Sequence, residues 1–433
     1  MKLKVRLCLV SAMFLLLFTS LRIWRESLLQ NEIKTELDRL SAELSEPSET
    51  ASSTRQRRDD GKFSNCRIPT DIRKVCLNMA WVTDRGLHCP LEQLSKNCTL
   101  LKKLHGYEKP VEREEVEFPL AFGLKMHTSP VQAEQLLRAI YRPHNIYCIH
   151  VNKVADDAVF RVMTNIASCF PNVITTERVH VAYATYDSVL AEQTAMACAL
   201  GSTVDWKYYL NLAGQEFPLR TNLEMVRILK MLNGTNDIES YPMPDRHQRR
   251  VTYSWVRQGG QIRNTSLPKR PPPFKVEIRT GLQYSSFSRA FVTTVFNDDS
   301  VRLLMDYFID TYSPDETVWA TVNQLPWIPG GYSFHVKHNP DNQHVSRAIA
   351  RKYEYTYKCK GEYVRQVCIF TRADLPWLLR QPNLFANKFL LEMDSQAVAC
   401  LEAVVNQRVR SRRVFLDHSY YSSLPHVRQN YMP

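Results

Sequence analysis

Glycine is scarce in this chain, 13 in 433 residues, and neither G-x-G-x-x-G nor G-x-x-x-x-G-K-[ST] occurs. Those runs provide the backbone that approaches a dinucleotide or cradles a triphosphate, so the sequence argues against both kinds of site. No internal repeat is present, and no two cysteines stand in C-x-x-C spacing, which argues against a zinc site. What remains has globular composition, 44% hydrophobic and 23% charged. Wholesale disorder is thereby excluded, and the length suffices for one large domain or two ordinary ones with a real core. Lys and Arg number 56 against 44 Asp and Glu, a formal charge of +12 that suggests an anionic partner without naming it. Eleven cysteines, an odd number, require explanation.

Five of those net positive charges lie in the first 25 residues, where Lys2, Lys4 and Arg6 precede an uncharged run from Leu7 to Leu21 that Arg22 and Arg25 close. The run is shorter than the roughly 20 apolar residues a spanning helix needs. It would equally serve a cleaved signal peptide, but no small-x-small cleavage site follows it. A signal anchor over residues 7–24 is therefore expected, with residues 1–6 cytoplasmic and the remainder lumenal. Its shortness suits a thin early-secretory membrane. Residues 25–65 read as a polar stem. Ile33, Leu37, Leu40 and Leu44 form a short amphipathic stripe that either pairs two stems into a homodimer or stays a solvated helix. Arg55-Gln56-Arg57-Arg58 reads either as a processing site or as a solvated charge cluster.

Lumenal placement fits two further patterns. Asn97, Asn233 and Asn264 head N-x-[ST] acceptor triplets for N-glycosylation. Cys8 falls in the apolar run, and the other ten are even in number, as full disulfide pairing in an oxidising compartment requires. From Phe118 onward, strand and helix patterns alternate. Strands are expected at 118–126, 145–151, 173–176 and 206–212, with helices near 131–140, 162–167 and 188–200 between them. Ser129-Pro130 starts the first helix. Such alternation predicts an α/β fold with a mostly parallel sheet and ligands at the strands' carboxyl ends, where His127 and Asn152 would lie. Beyond residue 240 the pattern turns irregular and basic, so the second half is expected to complete the same domain and supply substrate loops.

Six stretches, in order, resemble the core 2 and I-branching β1,6-N-acetylglucosaminyltransferases, inverting enzymes of the Golgi. They are Leu136 to Tyr141, Tyr147 to Val151, Asn211 to Pro218, Thr311 to Glu316, Val364 to Cys368 and Leu384 to Phe389. The resemblance spans about 66 to 405 and implies a glycosyltransferase domain there, with 406–433 left as a basic tail. It implies a variant GT-A fold, UDP-N-acetylglucosamine as donor, a galactose or N-acetylgalactosamine of an O-glycan as acceptor, and single-pass type II placement in the Golgi membrane. No nucleic-acid partner is expected. Wider relatives use UDP-xylose, so transfer of another sugar, or a silent glycan-binding homologue, remains as an alternative.

The resemblance also implies that no metal is used. The chain has no D-x-D, the usual cation site of GT-A enzymes, and Asp156-Asp157 and Asp298-Asp299 are adjacent pairs whose side chains would diverge on a strand. Arg365 and Lys388 match the family positions that neutralise the diphosphate instead. Glu316 matches the general base, although Ser313-Pro314-Asp315-Glu316 reads on its own as a helix capping box. Glu239, His247, Arg250, Tyr353 and Tyr355 match acceptor positions, and His127 and Asn152 fall near the nucleotide. The sequence departs from the family at His247, Tyr353, Asn152 and Glu216. The first two bear on acceptor choice, and Asn152 and Glu216 on the strength of donor binding. The implied disulfides are Cys66–Cys400, Cys98–Cys169, Cys148–Cys198 and Cys359–Cys368, with Cys76 and Cys89 left to bridge each other.

Overall fold

Three near-continuous apolar segments form the middle of the fold: β1 (Leu120–Met126), β2 (Ile146–Val151) and β4 (Tyr208–Ala213), with the short β3 (Val173–Thr175) beside them. Runs buried on both faces are the mark of parallel strands covered by helices. In this computed structural model β3, β2, β1 and β4 are parallel neighbours in that order. Two strands from the second half, β5 (Asp237–Ile238) and β6 (Ser285–Ser288), extend the sheet. β6 pairs antiparallel with both β4 and β5, giving the order β3-β2-β1-β4-β6-β5. The mixed α/β fold with a mostly parallel central sheet is therefore present, and the second half contributes to the same sheet.

The structure describes residues 91–332, 344–353, 357–412, 414 and 416–429, all within the unit Asn65–Pro433. The apolar run 7–24, the stem, Arg55 to Arg58, Cys66, Cys76, Cys89 and Tyr355 lie outside the described residues. No described helix is long and apolar enough to cross a membrane.

Helices α1 (Pro130–Ile140), α2 (Asp157–Ser168) and α3 (Asp187–Leu200) connect the parallel strands. Ser129 starts α1 by accepting the Gln132 amide at 3.2 Å, with Pro130 at the first helical position, where its missing N–H costs nothing. Gly123 has a packing reason. A Cβ there would meet the Tyr209 hydroxyl at 1.8 Å, so only glycine lets Tyr209 lean across β1. That hydroxyl donates to Glu192 on α3 at 2.5 Å, and Lys125 on β1 pairs with the same carboxylate at 2.6 Å.

Disulfides join Cys98 to Cys169, Cys148 to Cys198 and Cys359 to Cys368, three of the pairs that the resemblance implies. Among the described residues Cys400 has no disulfide partner, and Cys66, its expected one, lies outside them. Asn97 and Asn233 are exposed and Asn264 is half-buried. The tail expected from residue 406 needs correction. The helix Leu391–Ser411 runs through that boundary, and Tyr421, Leu424 and Val427 are buried. His426 is 3% exposed, with its imidazole 3.3 Å from Asp237. The arginines marked it as a basic tail, but the apolar positions among them are buried.

A second, three-stranded sheet places Glu216–Pro218 against Phe385–Asn387, with Arg347–Ala348 on the far side. Its centre is a buried ion pair: Arg347 Nε meets Glu216 Oε2 at 2.9 Å with both side chains 0% exposed. Burial raises the Glu216 carboxyl above its usual range, and Arg347 opposes that shift. Arg347→Met should therefore cost about 3–5 kcal/mol by stranding the carboxylate, while the double change to Glu216→Leu and Arg347→Met recovers most of it. Urea unfolding midpoints at constant m-value measure both, and a single-variant loss below about 1 kcal/mol would contradict the assignment.

Candidate active site

Glu316 sits in a turn pinned at both ends. Its carbonyl accepts the Gly281 amide and the Thr280 hydroxyl, each at 2.9 Å, and the Ser313 amide donates to Ala184 O at 3.0 Å. The capping-box reading of this turn is wrong. Ser313 is left-handed, at φ 48°, and makes no side-chain cap, so Pro314–Glu316 is a single 3₁₀ turn. The Glu316 carboxylate, freed from that role, receives Arg250 Nη1 at 2.6 Å on Oε2.

Two cations lie within electrostatic reach of one another. Arg365 occupies the tip of the hairpin formed by Glu362–Val364 and Val367–Ile369, which Cys359–Cys368 braces. Both turn residues, Arg365 and Gln366, have positive φ, 50° and 69°, the geometry of a two-residue hairpin turn that usually takes Asn-Gly. The Arg365 guanidinium lies 4.6 Å over the Tyr183 ring. Lys388 follows Asn387, which donates to Glu216 at 3.1 Å, so the buried ion pair positions it through the strand. Desolvation and then Arg365 hold the Lys388 ammonium below its usual value, with Glu392 opposing. Desolvation, then Lys388 and Arg365, likewise lower the His127 imidazole. Among the described residues no carboxylate forms a salt bridge with Arg365 or Lys388. Adjacent unpaired cations at the carboxyl edge of a parallel sheet suit an anionic group.

A pair of tyrosines connects the two parts. Burial, then the neighbouring Tyr183, raise the Tyr312 hydroxyl above its usual value, and Arg250 lies 5.6 Å from the Tyr312 ring. Carboxylate and cations thus share one continuous surface. Of the eight non-glycine residues with positive φ among those described, Ala184, Ser313, Arg365 and Gln366 belong to its turns. Strain of that kind concentrates at functional sites.

Three of the acceptor candidates, Glu239, His247 and Arg250, lie around Glu316, whereas Tyr353 lies beside the hairpin of Arg365. A Cβ on Gly281 would meet the Glu239 carbonyl at 1.7 Å, which brings the Glu239 and Glu316 backbones together at that glycine. Burial, then Arg250 and Arg246, push the His247 imidazole down, and Glu316 opposes them. Tyr353 is 67% exposed, next to Lys352, whose amide donates to Gln366 O at 3.0 Å. Asn152 is placed differently. Its Oδ1 accepts the Val181 and Val154 amides, both at 3.1 Å, and its Nδ2 donates to Val181 O at 3.0 Å. Both ends of the amide brace the loop that carries Tyr183. Glu216 is likewise buried beneath the strand that bears Lys388.

Tyr183 and Tyr312 escaped the sequence reading because nothing in their local pattern distinguishes them from core aromatics. The 67% exposure of Tyr183 is a tertiary fact. Lys125 and Glu192 escaped for the opposite reason: a charge inside an apolar strand and another inside a helix were signals, but their meeting needed the fold.

A family model described as "Core-2/I-Branching enzyme" matches residues 120–379. The chain is 37% identical over 323 residues to the human "Beta-1,3-galactosyl-O-glycosyl-glycoprotein beta-1,6-N-acetylglucosaminyltransferase", covering 71% of this chain and 75% of that protein. A similar match, 36% over 331 residues, is to the protein of the same name from bovine herpesvirus 4, covering 73% and 74%.

Asp315, beside Glu316, has its carboxyl pushed up to about 6 by burial and then by the neighbouring Glu316 charge. An unfolded Asp releases its proton near about 3.9. Stability associated with this group is thus complete below pH 4 and is lost as pH rises to about 6. The melting-temperature advantage of Asp315→Asn over the unsubstituted protein should grow across that window and level off above it. A difference that stays flat from pH 4 to 7 would remove the claim.

Proposed function

Because the chain belongs to the core-2/I-branching enzyme family, we propose that it transfers N-acetylglucosamine from UDP-N-acetylglucosamine to an O-glycan of a glycoprotein. The linkage formed is β1,6 to a galactose or N-acetylgalactosamine, and the domain is a variant GT-A fold. The names of the relatives support N-acetylglucosamine over xylose. The observation that carries the reading is one surface bearing an oriented carboxylate, Glu316, and two cations, Arg365 and Lys388, with no carboxylate partner among the described residues, and with Tyr183 and Tyr312 between them.

The chemistry follows from those groups. Arg250 fixes Glu316 through Oε2, and Oε1 has no protein partner among the described residues. Oε1 takes the proton of the acceptor hydroxyl as its oxygen bonds to the anomeric carbon. The bond from that carbon to the diphosphate breaks on the opposite face, with inversion, and its electron pair leaves with UDP. Arg365 and Lys388 stabilise that developing charge from fixed positions, the task a divalent ion performs elsewhere. Absence of a D-x-D in the sequence agrees with a reaction that needs no metal. Glu239, His247 and Arg250 are offered to the acceptor's hydroxyls, and Tyr353 and Tyr355 to its C–H faces. His127 and the loop braced by Asn152 lie toward the nucleotide.

The apolar run at 7–24, with its basic flanks and the even lumenal cysteines, supports type II anchorage in the Golgi membrane with the enzyme in the lumen. Asn264 and the other acceptor triplets fit that side.

Glu316→Gln should lower kcat about 10²–10⁴-fold with an unchanged melting temperature. Retained turnover would sink the assignment of the base. The double change Arg365→Ala and Lys388→Ala should raise KM for UDP-N-acetylglucosamine and abolish inhibition by UDP, while excess EDTA leaves the unsubstituted protein active. A panel of core 1, core 3 and polylactosamine acceptors identifies the substrate, and transfer to none of them would overturn the reading.

A further inference from the structure

A groove of about 870 Å³ lies beside the Glu316 surface, and no role assigned above uses it. That volume falls within the roughly 300–1,000 Å³ typical of ligand sites. Its apolar wall is Leu190 on α3, Trp255 and Ile262 on the hairpin Tyr253–Pro268, and Leu303 and Ile309 at the helix Asp299–Tyr307. Leu190, Leu303 and Ile309 are 41%, 56% and 55% exposed. Large aliphatic side chains scattered singly on a surface need no explanation, but three around one concavity form a patch of the kind that binds something.

The groove is continuous with the acceptor region. The Trp255 indole packs 4.8 Å from the Tyr312 ring, which stands against Arg250, the partner of Glu316. At its other end Thr185 follows Ala184, whose carbonyl holds the Glu316 turn through Ser313. Charge narrows the occupant. Arg257 is paired with Asp187 at 3.7 Å and Arg302 with Asp299, which leaves Asp306 as the groove carboxylate without a cationic partner among the described residues. An apolar wall with one unneutralised carboxylate disfavours acidic ligands.

We infer that this groove binds the polypeptide that carries the acceptor glycan. It takes an apolar side chain flanking the glycosylated Ser or Thr and favours neutral or basic flanks over acidic ones. The inference rests on the transferase reading, since a glycan whose hydroxyl reaches Glu316 must extend out of the site toward its protein, and the groove is the adjoining concave path.

The test compares KM of the full chain for an aryl glycoside of the core 1 disaccharide with KM for glycopeptides bearing that disaccharide between Leu, Lys or Asp flanks. Glycopeptides with Leu or Lys flanks should bind more tightly than the aryl glycoside, and Asp flanks should remove the gain. The double change Leu303→Ser and Ile309→Ser, at exposed positions, should raise KM for the Leu-flanked glycopeptide about tenfold and leave that for the aryl glycoside within about twofold. An equal change for both substrates, or none for the glycopeptide, overturns the inference. Asn264 stands opposite Trp255 across the hairpin. A fall in glycopeptide KM on Asn264→Gln would make the chain's own glycan the occupant and overturn it too. Failure of the unsubstituted protein to turn over the aryl glycoside is the separate result that counts against the transferase reading itself.

Discussion

The fully buried carboxylate of Glu192 is the constraint on which the sheet's carboxyl edge depends. An isolated charge in that position would be strongly destabilising, so its partners are obligatory. Lys125 comes from β1 and Tyr209 from β4, and Gly123 exists as glycine so that the Tyr209 ring can reach. Three elements distant in sequence are thereby registered at one point. Lys125 also acts electrostatically on Asp315, opposing the rise of its carboxyl. The network that closes the core thus reaches the turn bearing Glu316, and core packing and site geometry are not separate problems here.

A second buried carboxylate does for the donor side what Glu192 does for the acceptor side. Glu216 is held by Arg347 and in turn holds Asn387, the residue before Lys388. Glu216 is thus linked to the position of Lys388 through Asn387 and its strand. Asn152 acts at a similar remove, because its amide braces the loop of Tyr183. Both departures from the family pattern are structural supports, each hydrogen-bonded to its neighbours. The side chains that would touch the donor, Arg365 and Lys388, are unchanged from the pattern.

Periodicity and apolar runs made the parallel core legible, because strands buried on both faces leave an unmistakable composition. β5 and β6 were not legible. Asp237–Ile238 and Ser285–Ser288 are short and rich in polar residues, and they join the sheet only because Asn211, Ser346 and Asn236 satisfy their polar groups. Of the candidate site, Glu316, Arg365 and Lys388 were named through family resemblance, whereas local physics alone assigned the Glu316 turn to a helix cap that does not form. Ser-Pro-x-Glu is a good helix start. The Ser313 amide bonds to Ala184 and the residue turns left-handed, so tertiary anchoring overrides the local preference. The C-terminal segment misled for a related reason, since charge density hid the apolar positions that dock it.

Net charge could not have located the site. The chain carries 56 basic side chains, and many arginines of the domain are spent on carboxylates: Arg138 on Glu402, Arg142 on Glu115, Arg347 on Glu216, Arg250 on Glu316. What distinguishes Arg365 and Lys388 is that they repel each other and still lie together, held there by a disulfide-braced hairpin on one side and a buried ion pair on the other. Like charges within electrostatic reach of one another cost free energy, and an anion bound between them would offset that cost. The same criterion applies to carboxylates. Asp306 beside the groove has no cationic partner among the described residues while its neighbours are matched, which is why pairing, and not composition, singles out the candidate surfaces of this molecule.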